Sequence, residues 1–152
     1  MCRLTDTRPD CAVVVGTVRA LKMHGGVAKS DLDAENCEAV RAGLPNVLTH
    51  VANMRDVFGL PAVVALNIFP TDTDAEIECV MAECAKVGAE CIRSTVWADG
   101  SAGALELARA VKDLCEQPHE IRFAYDSAES LEDKIVAVVR KVYGKNSVQS
   151  ER

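Results

Sequence analysis

Apolar residues are distributed along the chain in two alternating patterns. The first is a set of short continuous apolar runs, at residues 11–16, 61–66 and 89–92. A run of about six apolar residues that is rich in β-branched side chains predicts a strand buried on both faces, as in a parallel sheet. The third run is shorter and less regular, and we assign it as a strand because it falls between two helical segments.

The second pattern is a helical one, in which apolar positions recur every three to five residues. Four segments show it: residues 32–58, 73–87, 102–115 and 130–143. Gly43 and Pro45 interrupt the first segment, which predicts that one helix ends near Ala42 and that another begins with Pro45 in its first turn.

Residues that favour helix ends support these assignments. Thr71 or Thr73 can cap the second segment, and Ser130 can cap the last. Gly88 and Gly144 follow the second and last segments and are expected to end them.

Strands that alternate with helices indicate right-handed βαβ units. We therefore predict a three-layer α/β fold with a mostly parallel sheet of three to four strands and flanking helices. Residues 121–125 are expected to form the additional strand or a packed extended segment. Residues 1–144 are predicted to form a single α/β domain, and residues 145–152 a polar tail.

Composition and charge exclude several classes of protein. The chain has 152 residues, 49% hydrophobic and 26% charged, with a net charge of -6, which fits one globular domain. The sequence pI is about 5.1, and such an acidic balance argues against a nucleic-acid partner. No apolar run is long enough to cross a membrane. The seven cysteines include no Cys-x-x-Cys pair, so a reduced, cytoplasmic protein without a disulfide or metal site is expected.

Ligands of open parallel sheets bind outside the carboxyl ends of the strands. Three segments follow the predicted strands: residues 17–26, 67–73 and 94–100. As loops, they are expected to converge on one edge of the sheet.

Two polar residues in the second loop could read a base. The Asn67 amide has the donors and acceptor that a purine edge requires, and Asp72 could accept from a ring nitrogen. The alternative is that Asn67 caps a turn and that Asp72 favours the helix start. Ser94, which opens the third loop, completes this nucleotide-binding group.

Phe69 and Trp97 are two of only six aromatic residues, and both fall in these loops. Aromatic side chains on neighbouring loops can clamp a flat heterocycle such as a pterin or purine. The alternative is a small apolar core beneath the loops.

The first loop offers groups that suit an anion. Arg19 and Lys22 could bind phosphate or carboxylate, and His24, Gly25 and Gly26 could direct backbone amides at it. The alternatives are a solvated charged face and a flexible turn.

The 152 residues contain no Gly-x-x-x-x-Gly-Lys-Ser/Thr phosphate loop, no Gly-x-Gly-x-x-Gly and no Gly-x-Ser-x-Gly. The histidines have no metal-ligand spacing. We therefore assign no catalytic residue and no metal ligand.

The same loops resemble the formate–tetrahydrofolate ligase family. The matching stretches are Thr17-Val-Arg-Ala-Leu-Lys-Met-His-Gly-Gly26, Glu35-Asn36, Gly43-Leu44-Pro45-Asn46, Val63 to Thr73, Val96-Trp97-Ala98, Ala124-Tyr125-Asp126, Glu132-x-Lys134-Ile135 and Val142-Tyr143-Gly144. They cover nearly the whole chain in order, and the first is long enough to be highly specific.

The resemblance implies an ATP-dependent enzyme that joins formate to tetrahydrofolate through formyl phosphate. It implies a part of a P-loop NTPase-like fold without its phosphate loop, and an interior portion of a longer chain. Phe69 and Trp97 would line the folate pocket, with Asn67, Asp72 and Ser94 on the adenine side. Arg93 stands where the family commonly has an apolar residue, and it could stack on folate or pair with its glutamate tail. Asp99 stands where the family commonly has lysine.

The implied substrates are tetrahydrofolate, MgATP and formate, and the implied partners are the remaining domains of the ligase and a second copy of the chain. We expect these residues alone to be inactive. The alternative function is a non-catalytic α/β module for ligand binding or oligomerisation, such as a degenerate paralogue.

Overall fold

A computed structural model describes residues 5–145 of the chain. The strands are β1 (Ala12–Thr17), β2 (Ala62–Asn67) and β3 (Glu90–Ser94). The α-helices are α1 (Val18–His24), α2 (Cys37–Ala52), α3 (Asp74–Lys86), α4 (Val96–Asp99), α5 (Leu105–Cys115) and α6 (Leu131–Lys141). A π-helical segment, Asn53–Val57, continues α2, and a 3-10 segment, Gly100–Ala104, precedes α5. Of the predicted tail, residues 146–152 lie outside the described residues.

The three predicted strands form one parallel sheet in the order β1-β2-β3, so the predicted α/β class is confirmed. Within residues 5–145 the sheet has three strands. Residues 121–125 form no strand and lie outside the sheet, anchored by the Arg122 amide, which donates to the Phe58 carbonyl at 2.9 Å.

The main core lies between the sheet and helices α1, α2 and α3. Alternate residues of β2, Val64 and Leu66, point into it and pack with Val18, Leu44 and Ile77. The intervening residues of β2 are buried on the other face, where α5 contacts β2 and β3. Each fully buried valine or leucine contributes about 1.5–3 kcal/mol, which explains why the continuously apolar β2 is the central strand.

The predictions of loops at residues 17–26 and 94–100 were wrong, because residues 96–99 form helix α4 and residues 18–24 form helix α1. The Thr17 hydroxyl caps α1 by accepting from the Ala20 amide at 3.1 Å. Val18, Leu21 and Lys22 share one buried face, and this three-to-four-residue spacing is that of a helix packed on a sheet.

The predicted break near Ala42 was also wrong. A single helix, α2, starts at Cys37 and runs through Pro45. Proline removes one backbone hydrogen bond and costs about 3 kcal/mol inside a helix. Val40, Leu44 and Val51 are all buried on one side of α2, and burying three such side chains outweighs that cost.

Gly43 is an interhelical contact point rather than a helix end. A Cβ atom at Gly43 would lie 2.0 Å from the Leu21 carbonyl oxygen of α1, and one at Gly25 would lie 2.0 Å from the Ala39 carbonyl oxygen of α2. The two glycines therefore let the backbones of α1 and α2 approach closely.

The predicted caps at Thr73 and Ser130 and the predicted ends at Gly88 and Gly144 are confirmed. Of the two candidate threonines, Thr73 caps α3, with Glu76 completing a capping box, and the Ser130 hydroxyl accepts from the Asp133 amide at the start of α6. Gly88 and Gly144 have φ values of +67° and +62°, a conformation that favours glycine.

Replacing Gly43 with alanine is expected to destabilise the protein by about 2–3 kcal/mol, because the added methyl group overlaps the Leu21 carbonyl. Chemical denaturation measures this change. Gly16→Ala is the matched control, since its nearest new neighbour is a Val47 methyl group at 3.7 Å. Helix propensity alone would make Gly43→Ala more stable by about 1 kcal/mol, and that outcome would contradict the packing argument.

Candidate functional site

The carboxyl ends of the three strands carry a row of polar residues. Thr17 is in register with Asn67, and Asn67 with Ser94. Ser94 is buried, whereas Thr17 and Asn67 are partly exposed. The Thr17 hydroxyl is engaged in capping α1. Within residues 5–145 the side-chain amide of Asn67 has no hydrogen-bond partner, so this side-chain amide is available to a ligand.

The loop after β2 is closed by Asp72. Its carboxylate accepts from the Phe69 amide at 2.9 Å, and its own amide donates to the Phe69 carbonyl at 2.9 Å. Burial raises the pKa of Asp72, and the nearby Glu76 adds to this, against a lowering by the Phe69 amide, Lys22 and Arg19. A carboxyl group in such a setting favours a ligand that donates a hydrogen bond to it.

The two aromatic candidates come together. The ring centroids of Phe69 and Trp97 are 6.2 Å apart, and the rings are tilted by 51°. A parallel slot for a flat heterocycle needs a separation of about 7 Å, twice the contact distance of about 3.5 Å. The rings therefore contact each other. Trp97 is 68% exposed, which leaves its ring open to stacking.

A close backbone contact fixes the position of Trp97. The Thr95 amide, just before α4, donates to the Gly103 carbonyl at 3.2 Å. A Cβ atom at Gly103 would lie 2.5 Å from the Thr95 carbonyl carbon. Only glycine lets the 100–104 segment fold back against Thr95 and hold α4 beside the loop after β2.

Lys22 and Glu76 form a buried ion pair beneath this edge. The Lys22 Nζ lies 2.9 Å from Glu76 Oε1, and the two side chains are 1% and 0% exposed. Lys22 also donates to the Ala34 carbonyl at 3.1 Å. Its charge is therefore neutralised inside the protein rather than presented to a ligand.

Glu76 also accepts hydrogen bonds from two backbone amides. The Asn36 amide donates to it at 2.8 Å and the Thr73 amide at 3.2 Å. Burial raises the pKa of Glu76, but hydrogen bonds from Lys22, Asn36 and Thr73 outweigh burial, so the pKa lies below its ordinary value. One carboxylate thus joins α1, the start of α2 and the start of α3.

The other proposed anion-binding groups are also engaged. Arg19 pairs with Asp33 at 2.6 Å. The Gly25 and Gly26 amides donate to the Leu21 and Met23 carbonyls and close the end of α1.

His24 lies near the Asn46 amide, with its ring nitrogens 3.1 and 3.2 Å away. It stands at the carbonyl end of α1, about 10 Å from Thr17. The carbonyl end of a helix disfavours an anion.

Arg93 is held against α3 by its partners. Its guanidinium group pairs with Glu78 of α3, and its Nε lies 3.4 Å from the Met81 sulfur. In this arrangement the Arg93 side chain packs along α3.

Residues 5–145 contain no cluster of three or more His, Cys, Asp or Glu side chains that could hold a metal ion. None of their helices is both long and apolar enough to span a membrane.

Comparison with known protein families identifies the chain. The family model for formate–tetrahydrofolate ligase matches residues 1–152. The chain belongs to the formate–tetrahydrofolate ligase family. The resemblance carried by residues 17–26 and 63–73 is confirmed at the level of the family.

Sequence reasoning missed the residues that support this candidate site from below. The sequence patterns indicate Lys22 only as an anion-binding candidate, and they single out no role for Glu76 in the site. The Thr73–Glu76 capping-box spacing was the available signal for Glu76. No local pattern pairs Glu76 with Lys22, because 54 positions separate them.

Replacing Glu76 with glutamine is expected to cost about 3–5 kcal/mol of stability, because the buried Lys22 loses its counter-charge. Urea denaturation measures the cost. Glu83→Gln is the matched control on the same helix, since Glu83 pairs with the exposed Lys86 at 2.7 Å, a contact worth at most about 1 kcal/mol. Equal effects of the two substitutions would contradict the role of the buried pair.

The same comparison has a defined pH dependence. Because the pKa of Glu76 is lowered on folding, its contribution is complete above its ordinary pKa and is lost as the pH falls through the lowered folded value. The stability difference between wild type and Glu76→Gln is therefore expected to shrink in acid. A stability difference between wild type and Glu76→Gln that grows in acid would contradict this expectation.

Proposed function

We propose that this chain supplies the folate and adenine sides of the active site of an ATP-dependent ligase that forms 10-formyltetrahydrofolate from formate and tetrahydrofolate. The observation that carries the proposal is the contact between Phe69 and Trp97 beside the free Asn67 amide, at the strand ends where α/β proteins bind ligands. Membership of the ligase family supplies the substrate class.

The folate ring is assigned to the aromatic pair. The exposed face of Trp97 gives a stacking surface for a pterin, and Phe69 supports it from one edge. The 51° tilt between the rings suits a ligand that stacks on Trp97 and contacts the edge of Phe69. In this proposal Arg93 reaches the glutamate tail of folate only if it leaves Glu78.

The adenine side is assigned to Asn67, Asp72 and Ser94. Asn67 offers both donors and an acceptor to a base edge. Burial raises the pKa of Asp72, so a hydrogen bond donated by the adenine ring would stabilise its carboxylate. Ser94 is buried and in register with Asn67, so its role is to shape the floor of the site.

The charges around this edge argue that phosphate is handled elsewhere in the enzyme. Phosphoryl transfer requires positive charge and oriented amides around the phosphate groups. Lys22 is paired with Glu76, and Arg19 with Asp33. Arg19, His24, Gly25 and Gly26 would bind an anion only after these contacts rearrange, and MgATP and formate would react on the remaining domains of a cytoplasmic enzyme.

The second candidate is a non-catalytic α/β module of the same family. The mutual contact of Phe69 and Trp97 favours it, because a ring pair that is already packed can be a small surface core rather than a pocket. The two candidates differ in whether tetrahydrofolate binds.

Tetrahydrofolate is expected to quench the fluorescence of Trp97, the only tryptophan, and to show saturable binding by calorimetry. Phe69→Ala is expected to weaken tetrahydrofolate binding about tenfold, or about 1.4 kcal/mol, because it removes the ring that contacts the edge of the pterin. Tyr143→Ala is the matched control, because Tyr143 is also 68% exposed but follows α6. Unchanged calorimetry and fluorescence at sub-millimolar folate would favour the non-catalytic module.

The purified 152-residue chain is expected to form no 10-formyltetrahydrofolate from formate, MgATP and tetrahydrofolate. The physical reason is that, within residues 5–145, the positive charges of Lys22 and Arg19 beside the strand ends are paired with Glu76 and Asp33. Formation of the product above an enzyme-free control, measured by its absorbance after acid conversion, would overturn the assignment of the phosphate chemistry to other domains.

A further inference from the structure

Two cysteines that are distant in sequence meet at the other end of the sheet. Cys11 immediately precedes β1, and Cys115 is the last residue of α5. Their Sγ atoms are 3.6 Å apart although 104 positions separate them. A disulfide bond requires an S–S distance of about 2.05 Å, so the two sulfurs must approach by about 1.5 Å.

The pair is accessible and its surroundings permit this approach. Cys115 is exposed and Cys11 is partly exposed. Leu114, in the last turn of α5, is the only buried residue of that helix, so the approach is expected to come from rotation of the two cysteine side chains rather than from a shift of the helix. By contrast, Cys84 shares a hydrogen bond with Cys91 but is fully buried.

We propose that Cys11 and Cys115 form a redox-sensitive pair that closes reversibly to a disulfide when the oxidant is a peroxide. The sulfur of Cys115, as thiolate, attacks one oxygen of the peroxide. The O–O bond breaks, the other oxygen leaves as hydroxide, and Cys115 becomes a sulfenic acid. The Cys11 sulfur then attacks the Cys115 sulfur, and the S–S bond forms as hydroxide leaves. Both thiol protons end on the departing oxygens as water.

The order of the two steps follows from exposure. Cys115 is the more open thiol, so it meets the peroxide first. Burial raises the pKa of the Cys11 thiol, as do its hydrogen bond to Cys115 and the charges of Cys115 and Asp10. Cys11 therefore suits the second, intramolecular step, in which closeness to its target compensates for a smaller thiolate fraction.

The bond would act on α5 and not directly on the candidate ligand site. Cys11 stands at the start of β1, about 20 Å from Thr17 at its other end. The disulfide would tie the end of α5 to the start of β1. Residues 100–104 join α5 to α4, the helix that contains Trp97. The disulfide would therefore also limit the motion of α4.

The experiment exposes the full-length chain to hydrogen peroxide and then alkylates it under denaturing conditions. Free thiols are expected to fall by two from the seven in the sequence, and peptide mapping is expected to find one link, between Cys11 and Cys115. Dithiothreitol should restore both thiols. The denaturation midpoint of the oxidised chain should exceed that of the reduced chain, because the bond constrains the unfolded state.

Single variants decide the assignment. Cys11→Ser is expected to remove the link and leave a Cys115 sulfenic acid that dimedone labels, and Cys115→Ser to remove the link without that label. Cys37→Ser is the matched control, a partly exposed cysteine away from the pair, and it should retain both the link and the shift in midpoint.

The proposal is overturned by a mapped bond between Cys84 and Cys91, by over-oxidation of Cys115 with no link, or by a midpoint that oxidation does not change. None of these readouts depends on folate binding, so the redox pair and the proposed function fail separately.

Discussion

The rest of the structure depends on the buried ion pair between Lys22 and Glu76. A buried charge is costly unless it is paired and hydrogen-bonded, and here the Glu76 carboxylate receives Lys22 and two backbone amides. These donors come from α1, from the start of α2 and from the cap of α3. One side chain therefore sets the relation of three helices that cover the same face of the sheet.

This constraint also shapes the strand-end edge above it. Because Lys22 is neutralised internally and Arg19 is paired with Asp33, the edge presents a polar amide and aromatic rings rather than free positive charge. Such a surface suits a flat, hydrogen-bonding ligand better than a phosphate chain. The proposed division of the ligase active site follows from that balance of groups.

Local patterns were sufficient where one interaction dominates. Thr73 and Ser130 cap helices as expected, because their hydroxyl groups satisfy nearby amides. The pattern failed where packing opposed local preference. Pro45 and Gly43 usually disrupt a helix, yet α2 continues through both, because its buried stripe and its close approach to α1 stabilise it more than these residues weaken it.

The sequence by itself determined the parallel α/β fold, the family, and the placing of Asn67, Phe69 and Trp97 at strand ends, since these depend on periodicity, motif and order along the chain. Tertiary structure alone decided that Phe69 contacts Trp97 and that Lys22 serves the core. The physical reason is that ion pairs and ring contacts depend on distances between residues far apart in sequence, and those distances are set by how helices pack on the sheet.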